Sequence, residues 1–391
     1  MNGSWGAVEM VWCLLAFLMD MAGGIVILAI QILGVELNAT DVQLGLIGAA
    51  SPLGYAVSSL CNPRVSSAIG RERSAFIGSV VYAIAALSLT LAYCTRSIFA
   101  LMVISTVSGI AIGFYWPAVQ ALMGTSAPQE KLPHFITIYN IAWSFGRTIG
   151  MRFSGILFMH SPHTPFVVGA LISFLVASVL VALQKESSHH ERTKAHSEAI
   201  AQSNVEFDEL IVASAQLGNL LRVLTVGAVV ALFPKWAKWM NLNPAQVSGL
   251  IFLLLGGHVV SFIAAPLLYR WINPKMLITI KAAIIISSIS IAISSRVWHF
   301  ALSFTFVGIC AGLACTTSTY YSILSQGKTT RGSARHEATV GSGSVFGPVI
   351  GGWIAQLTLQ PRSPYLLMAF LGLCLLALDL CYLLRHKLRT R

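Results

Sequence analysis

Long apolar runs recur along the whole chain, and they decide what it can fold into. "LISFLVASVLVAL" (171–183) and "AAIIISSISIAI" (282–293) are two of the plainest. A helix of about 20 apolar residues crosses roughly 30 Å of hydrocarbon. Inside lipid every backbone N–H and C=O must be satisfied by the chain itself, which leaves helices or closed barrels. Period-2 alternation is nearly absent, which excludes a barrel. Twelve spans are predicted, at about 8–33, 42–62, 74–93, 97–122, 132–159, 164–184, 210–233, 244–269, 275–295, 299–325, 335–359 and 363–384. The first lacks a basic segment before it and is helix-length, so it is expected to stay as a span. Between the sixth and seventh lies one long polar linker, 185–209. The expected organisation is an all-α integral membrane protein with an N-terminal six-helix bundle (1–184), the linker, and a C-terminal six-helix bundle (210–391).

Composition and charge agree. The chain is 56% hydrophobic and 10% charged, against about 25% charged in a soluble domain. With both termini and the linker in the cytoplasm, sixteen lysines and arginines fall on that side. Five fall outside: Arg96, Lys235, Lys238, Arg296 and Arg362. The positive-inside rule selects this orientation. It also accounts for the net charge of +11 without a nucleic-acid partner. None of the seven cysteines forms a CxxC pair, and most sit in apolar runs as packing residues. No P-loop, HExxH or GxSxG appears, so neither an ATP-driven pump nor an intramembrane hydrolase is expected. No cofactor or metal is expected either.

Four cations remain inside predicted spans: Arg147, Arg152, Arg222 and Lys281. A charge near the bilayer centre costs about 2.5–3.5 kcal/mol on insertion scales, so it faces a partner or a wet cavity. Arg222 and Lys281 are expected to reach the cytoplasmic side along their flexible stems. Asn140, Trp143 and Arg147 follow i, i+3, i+7 and share one face of the fifth span. That face is expected to line the cavity or the seam between the halves. Arg152 lies about 140° further round and faces elsewhere. Asp20 is the only deep acid, and His258 sits mid-span in "LLLGGHVVSF". Both can titrate and are the candidates for proton coupling. The structural alternatives are a fixed Asp20–Arg147 pair and a hydrogen-bonded packing role for His258. Asn38-Ala39-Thr40 also fits a glycosylation sequon.

The halves repeat one another. "LGLIGAAS" (44–51) opens the second span and "SGLIFLLL" (248–255) the eighth. Span four holds "GIAIG" (109–113) and span ten "GICAG" (308–312). Gly146, Gly150 and Gly155 in span five are answered by Gly343, Gly347, Gly351 and Gly352 around Pro348 in span eleven. Three pairs of spans in register point to a duplicated six-helix unit.

Twelve spans, a central linker and parallel halves resemble the major facilitator superfamily of secondary transporters. Gly70-Arg71 and Arg73 match the basic loop motif of that family between spans two and three, although its acidic residue has no counterpart. Ser105 stands where the family's fourth-span motif has Arg. Met151 stands where its antiporters have Pro, and the Gly-Pro form falls at Gly347-Pro348. The resemblance implies alternating access, with spans one, four, seven and ten lining the path. It places Tyr115, Trp116, Gln120, Thr316, Thr319 and Tyr320 near substrate, beside Arg147, Asn140 and Trp143. It gives Gly70, Arg71, Arg73, Gly343, Gly347, Pro348, Gly351 and Gly352 a conformational role. The expected function is proton-coupled efflux of a small organic solute by a monomer in the plasma membrane. The alternatives are proton-coupled uptake of an organic anion, and a transport-inactive sensor or assembly factor gripped through its linker.

Overall fold

The computed structural model describes residues 7–126, 132–187, 209–268, 272–324 and 331–389, so most of the linker lies outside the described residues. All regular structure in them is helical: α1 Ala7–Glu36, α2 Asp41–Ile69, α3 Arg71–Cys94, α4 Ile98–Ser126, α5 Leu132–His160, α6 Thr164–Ser187, α7 Glu209–Trp239, α8 Pro244–Leu268, α9 Pro274–Ile293, α10 Val297–Leu324, α11 Arg331–Thr358 and α12 Ser363–Arg389. Several helices outrun the predicted spans. α2 continues through Pro63 to Ile69 and α7 through Pro234 to Trp239. Hydropathy marks the stretch that crosses hydrocarbon, whereas a helix runs on until a cap or turn stops it.

Among the described residues, ten helices are long and apolar enough to cross a bilayer by length and composition. α5 and α11 are the two that fall short, because glycine, serine, histidine and arginine interrupt them. α5 packs along α1, and a protein-facing surface does not need to be oily.

The chain divides into two compact units. Unit 1 comprises residues 1–39, 50–198 and 237–252; unit 2 comprises 40–49, 199–236 and 253–391. In unit 1, α1 packs along α5 and α6, and α3 along α4 and α6. In unit 2, α9 packs along α12 and α10, and α11 meets α12. Unit 2 thus includes the start of α2, and unit 1 the end of α7 with the start of α8.

The duplication is written into the turns. α1 ends where Ala39 N–H reaches the Gly34 carbonyl and Asn38 N–H the Val35 carbonyl, with Asn38 left-handed at φ 60. α7 ends the same way, through Leu242 to Ala237, Asn241 to Lys238, and Asn241 at φ 60. Asparagine tolerates this conformation better than most residues. A reciprocal cap follows each turn. Thr40 and Gln43 exchange side-chain and backbone bonds at the start of α2. Asn243 and Gln246 do so at α8. The sequon residues Asn38 and Thr40 therefore serve the turn and the cap. Between α2 and α3 a single residue reverses the chain: Gly70 at φ 92, a value that favours glycine. Arg71 and Arg73 follow it, both exposed.

The glycine motifs mark places where backbones touch. Gly109 of α4 faces the Ser51 carbonyl of α2, and Gly113 faces Tyr55 and Ser58. Gly308 of α10 faces the Leu254 carbonyl of α8, and Gly312 faces His258 and Ser261. A β-carbon at any of these four would collide with backbone or a buried serine. The seam of α5 on α1 likewise matches that of α11 on α7. Gly146 and Gly150 lie against Phe17 and Met21; Gly343 and Gly347 lie against Val223 and Leu224.

Candidate functional site

In unit 1 the α1–α5 seam brings Asp20 to Arg147. Gly24 of α1 lies against the Arg147 carbonyl, and Gly146 and Gly150 let α5 sit directly on the α1 backbone. Arg147 Nη2 donates to Asp20 Oδ1 at 2.6 Å, and Nε donates to the same oxygen at 3.2 Å. Asp20 is 2% exposed, but the Arg147 side chain is 35% exposed. Its Nη1 has no hydrogen-bond partner among the described residues. The Arg147 guanidinium lies 5.6 Å from the centre of the Trp143 ring, within cation–π range. Trp143 Nε1 in turn donates to Asn140 Oδ1 at 2.9 Å. The structure therefore brings Asn140, Trp143, Arg147 and Asp20 into one chain of contacts.

An aromatic wall adjoins the pair. Trp116 meets Tyr115 edge-on at 5.2 Å and Tyr139 at 6.0 Å. Tyr115 is fully buried and its hydroxyl donates to the Leu15 carbonyl at 3.2 Å, so it supports the wall from behind. The charge of Asp20 acts on Tyr82, Tyr115 and Tyr139. The Tyr82 and Tyr139 hydroxyls are buried with no hydrogen-bond partner among the described residues. Sequence reasoning missed both, since a lone tyrosine in an apolar span carries no periodic signal. Gln120 lies one turn beyond Trp116 on α4 and is exposed.

Arg152 points another way, as its helical offset predicts. Its Nη1 donates to the Ala245 carbonyl at 3.1 Å and to the Ser248 hydroxyl at 3.2 Å, at the start of α8.

The remaining predicted residues lie in unit 2, dispersed. The Thr316 hydroxyl donates to the Gly312 carbonyl one turn back. Thr319 is half-buried. Tyr320 packs on the cluster of Val212, Ala215, Leu277 and Tyr321. His258 is buried on α8 with its ring 4.6 Å from that of Phe262. On α11, Gly343, Gly347 and Gly351 face α7, whereas Pro348 and Gly352 lie against Gly45 and Asp41 at the start of α2.

Two expectations are corrected. Lys281 does not reach the cytoplasmic side along its stem. It is sealed inside unit 2, where its ammonium pairs with the Asp379 carboxylate and donates to the Ser214 hydroxyl at 2.7 Å. Arg222 is not a snorkelling cation either. It is 8% exposed, and its Nε donates to Asn219 Oδ1 at 2.6 Å. The signal was present: Gln216, Asn219 and Arg222 recur at threes along an apolar α7.

A family model described as Major Facilitator Superfamily matches residues 12–335. The chain therefore belongs to the major facilitator superfamily. It is an integral, multi-pass membrane protein and a secondary transporter of small solutes, in a family of transporters and not of enzymes. No curated protein matches it. Solved structures share the fold over nearly the full chain. The nucleoside transporter NupG is 13% identical, covers 96% of this chain and 99% of its own, and superposes with a TM-score of 0.74. A bacterial homolog to the human lysosomal transporter Spinster, inward-facing and occupied, is 14% identical, with 97% of each chain covered and a TM-score of 0.74. Its inward-facing, unoccupied form, also 14% identical and covering 96% of each chain, scores 0.67.

Proposed function

We propose that the protein takes up a small aromatic organic anion together with a proton. The observation that carries this reading is the pair itself: a buried acid holds one edge of a half-open guanidinium that lies against an indole. With Asp20 ionised, Arg147 is neutralised and attracts an anion weakly. A proton on Asp20 cancels that competition and leaves the Arg147 fork to a carboxylate, which it fits with two parallel bonds. Proton and anion then favour each other's binding, and the coupling is reciprocal. The half-buried Trp143 offers its ring to an aromatic body, with the buried Trp116 behind it in the aromatic wall. Efflux driven by proton exchange, the first expectation from sequence, requires substrate and proton to compete for one acid. That suits a cationic solute, and Arg147 repels one.

The remaining assignments belong to the same proposal. The bundles 1–184 and 210–391, joined by the 185–209 linker, alternate access around the site. Gly70 and the glycines around Pro348 permit that motion. The chain works as a monomer in the plasma membrane with both termini cytoplasmic. His258 is the second candidate for carrying a proton.

Proteoliposomes loaded with buffer and given radiolabelled benzoate test the reading, with uptake counted only above that of protein-free liposomes under the same gradient, because neutral benzoic acid crosses a bilayer unaided. An inward proton gradient should drive accumulation and an outward one should not. Accumulation under the outward gradient alone would establish exchange in its place.

A further inference from the structure

Unit 2 contains a buried polar network that none of the foregoing uses. It runs along α7 (Gln216, Asn219, Arg222), α10 (Ser318, Ser322) and α11 (His336). Its hydrogen bonds can be followed in order. The Ser322 hydroxyl donates to the Ser318 carbonyl at 2.6 Å. Gln216 Nε2 donates to Ser322 Oγ at 2.5 Å, and the Ser318 hydroxyl donates to Gln216 Oε1 at 3.1 Å. Each hydroxyl has one proton to give. Ser318 Oγ has given its own, so at 2.9 Å it accepts from His336 Nδ1–H.

That assignment leaves a surplus of donors. Asn219 Oδ1 is held by Arg222 Nε, which turns its Nδ2 towards His336 Nδ1 at 3.5 Å. A protonated Nδ1 accepts nothing. Arg222 Nη1 and Nη2 have no hydrogen bond to any described residue, and although the residue is only 8% exposed neither nitrogen is fully enclosed, so both look onto the open side of the network. The Arg222 charge acts on His336 and on Glu337. Yet Glu337 is exposed, and no described carboxylate comes within ion-pairing distance of Arg222. Free guanidinium donors at a narrow opening, where few waters compete for them, favour an anionic acceptor through charge-assisted hydrogen bonds. The half-buried His336 and exposed Glu337 mark the open side of the network.

We propose that this network is a second anion-binding position: the free Nη1 and Nη2 of Arg222 grip an oxyanion, a carboxylate or a phosphate, while the enclosed Asn219 holds the guanidinium in place through its Nε. It is independent of the Asp20–Arg147 reading, because it lies wholly within unit 2 and is assigned from its own donor count.

The test titrates the full-length chain in detergent with sodium acetate and, separately, inorganic phosphate, each against sodium chloride at equal ionic strength. Thermal unfolding is the readout, since a bound anion raises the transition temperature. A saturable rise with acetate assigns a carboxylate site, one with phosphate a phosphate site, and one with both a general oxyanion site. The rise should persist in Asp20→Asn/Arg147→Gln, where the unit 1 pair is neutral. Added to that double variant, Arg222→Gln should lower the apparent affinity at least tenfold. Asn219→Asp in the same background covers the case in which Arg222→Gln does not fold, since it gives Arg222 a carboxylate of its own and should abolish the response. Glu337→Gln should tighten binding. No saturable response in the wild type overturns the proposal. So does undiminished affinity in Asn219→Asp in the double-variant background, or a response lost only in Asp20→Asn/Arg147→Gln.

Discussion

Lys281 on α9 and Asp379 on α12 form an ion pair inside unit 2, with Lys281 1% exposed and the Ser214 hydroxyl of α7 bonded to both. Two charges leave water here, and their attraction offsets that cost only because each is also hydrogen-bonded. The pair ties three helices at one level.

Removing one member should therefore hurt more than removing both. Lys281→Met leaves an uncompensated buried carboxylate and should cost about 3–5 kcal/mol. The double variant Lys281→Met/Asp379→Leu should recover most of that loss. Thermal unfolding of the full-length chain, ranked across the three proteins, checks it.

Asp20→Asn should uncouple binding from protons. Wild-type affinity for benzoate is expected to tighten as pH falls, because the proton on Asp20 releases Arg147. In Asp20→Asn the affinity should stay near the acidic wild-type value at every pH, and uptake should stop following the proton gradient. Arg147→Gln should lose at least a factor of ten in affinity, about 1.4 kcal/mol. Binding isotherms at mildly acidic and mildly alkaline pH distinguish these outcomes.

The glycine seams should tolerate no side chain. Gly109→Val and Gly308→Val each drive a branched side chain into the backbone of the facing helix, at Ser51 and Leu254. Each should sharply reduce the yield of monodisperse protein in detergent. Gly249→Val is the control, because nothing lies within 4 Å of a β-carbon there.

Arg152 should act through its bonds to α8. Arg152→Met loses the contacts to the Ala245 carbonyl and the Ser248 hydroxyl, at about 1.5–3 kcal/mol for a bond from a charged group. Ser248→Ala should cost less, since the carbonyl contact survives. Unfolding temperatures of the two variants give the order.

Much of the fold was legible in the sequence because its determinants are local. An apolar run long enough to span lipid specifies a helix wherever it occurs. The glycine pairs at 109/113 and 308/312 revealed the repeat, and the structure supplies their reason in the close approach of α2 to α4 and α8 to α10. Helix ends were less legible, since hydropathy is silent about the turns at Asn38 and Asn241. The shared face of Asn140, Trp143 and Arg147 followed from helical spacing alone. Tyr82, Tyr139 and the α7–α10–α11 network did not, because their meaning lies in which other helix they meet.

The sequence by itself determined twelve helices, their membrane habit, the duplication and the presence of stranded cations, for all of these follow from residue type and short-range period. Only the tertiary structure decided where the charges go. Arg147 finds an acid 127 positions away and Lys281 one 98 positions away, while Arg222 keeps free donors. Nothing in a one-dimensional pattern specifies such partners. They are selected when glycine-lined helices close on each other and leave each buried charge only the neighbours that packing allows.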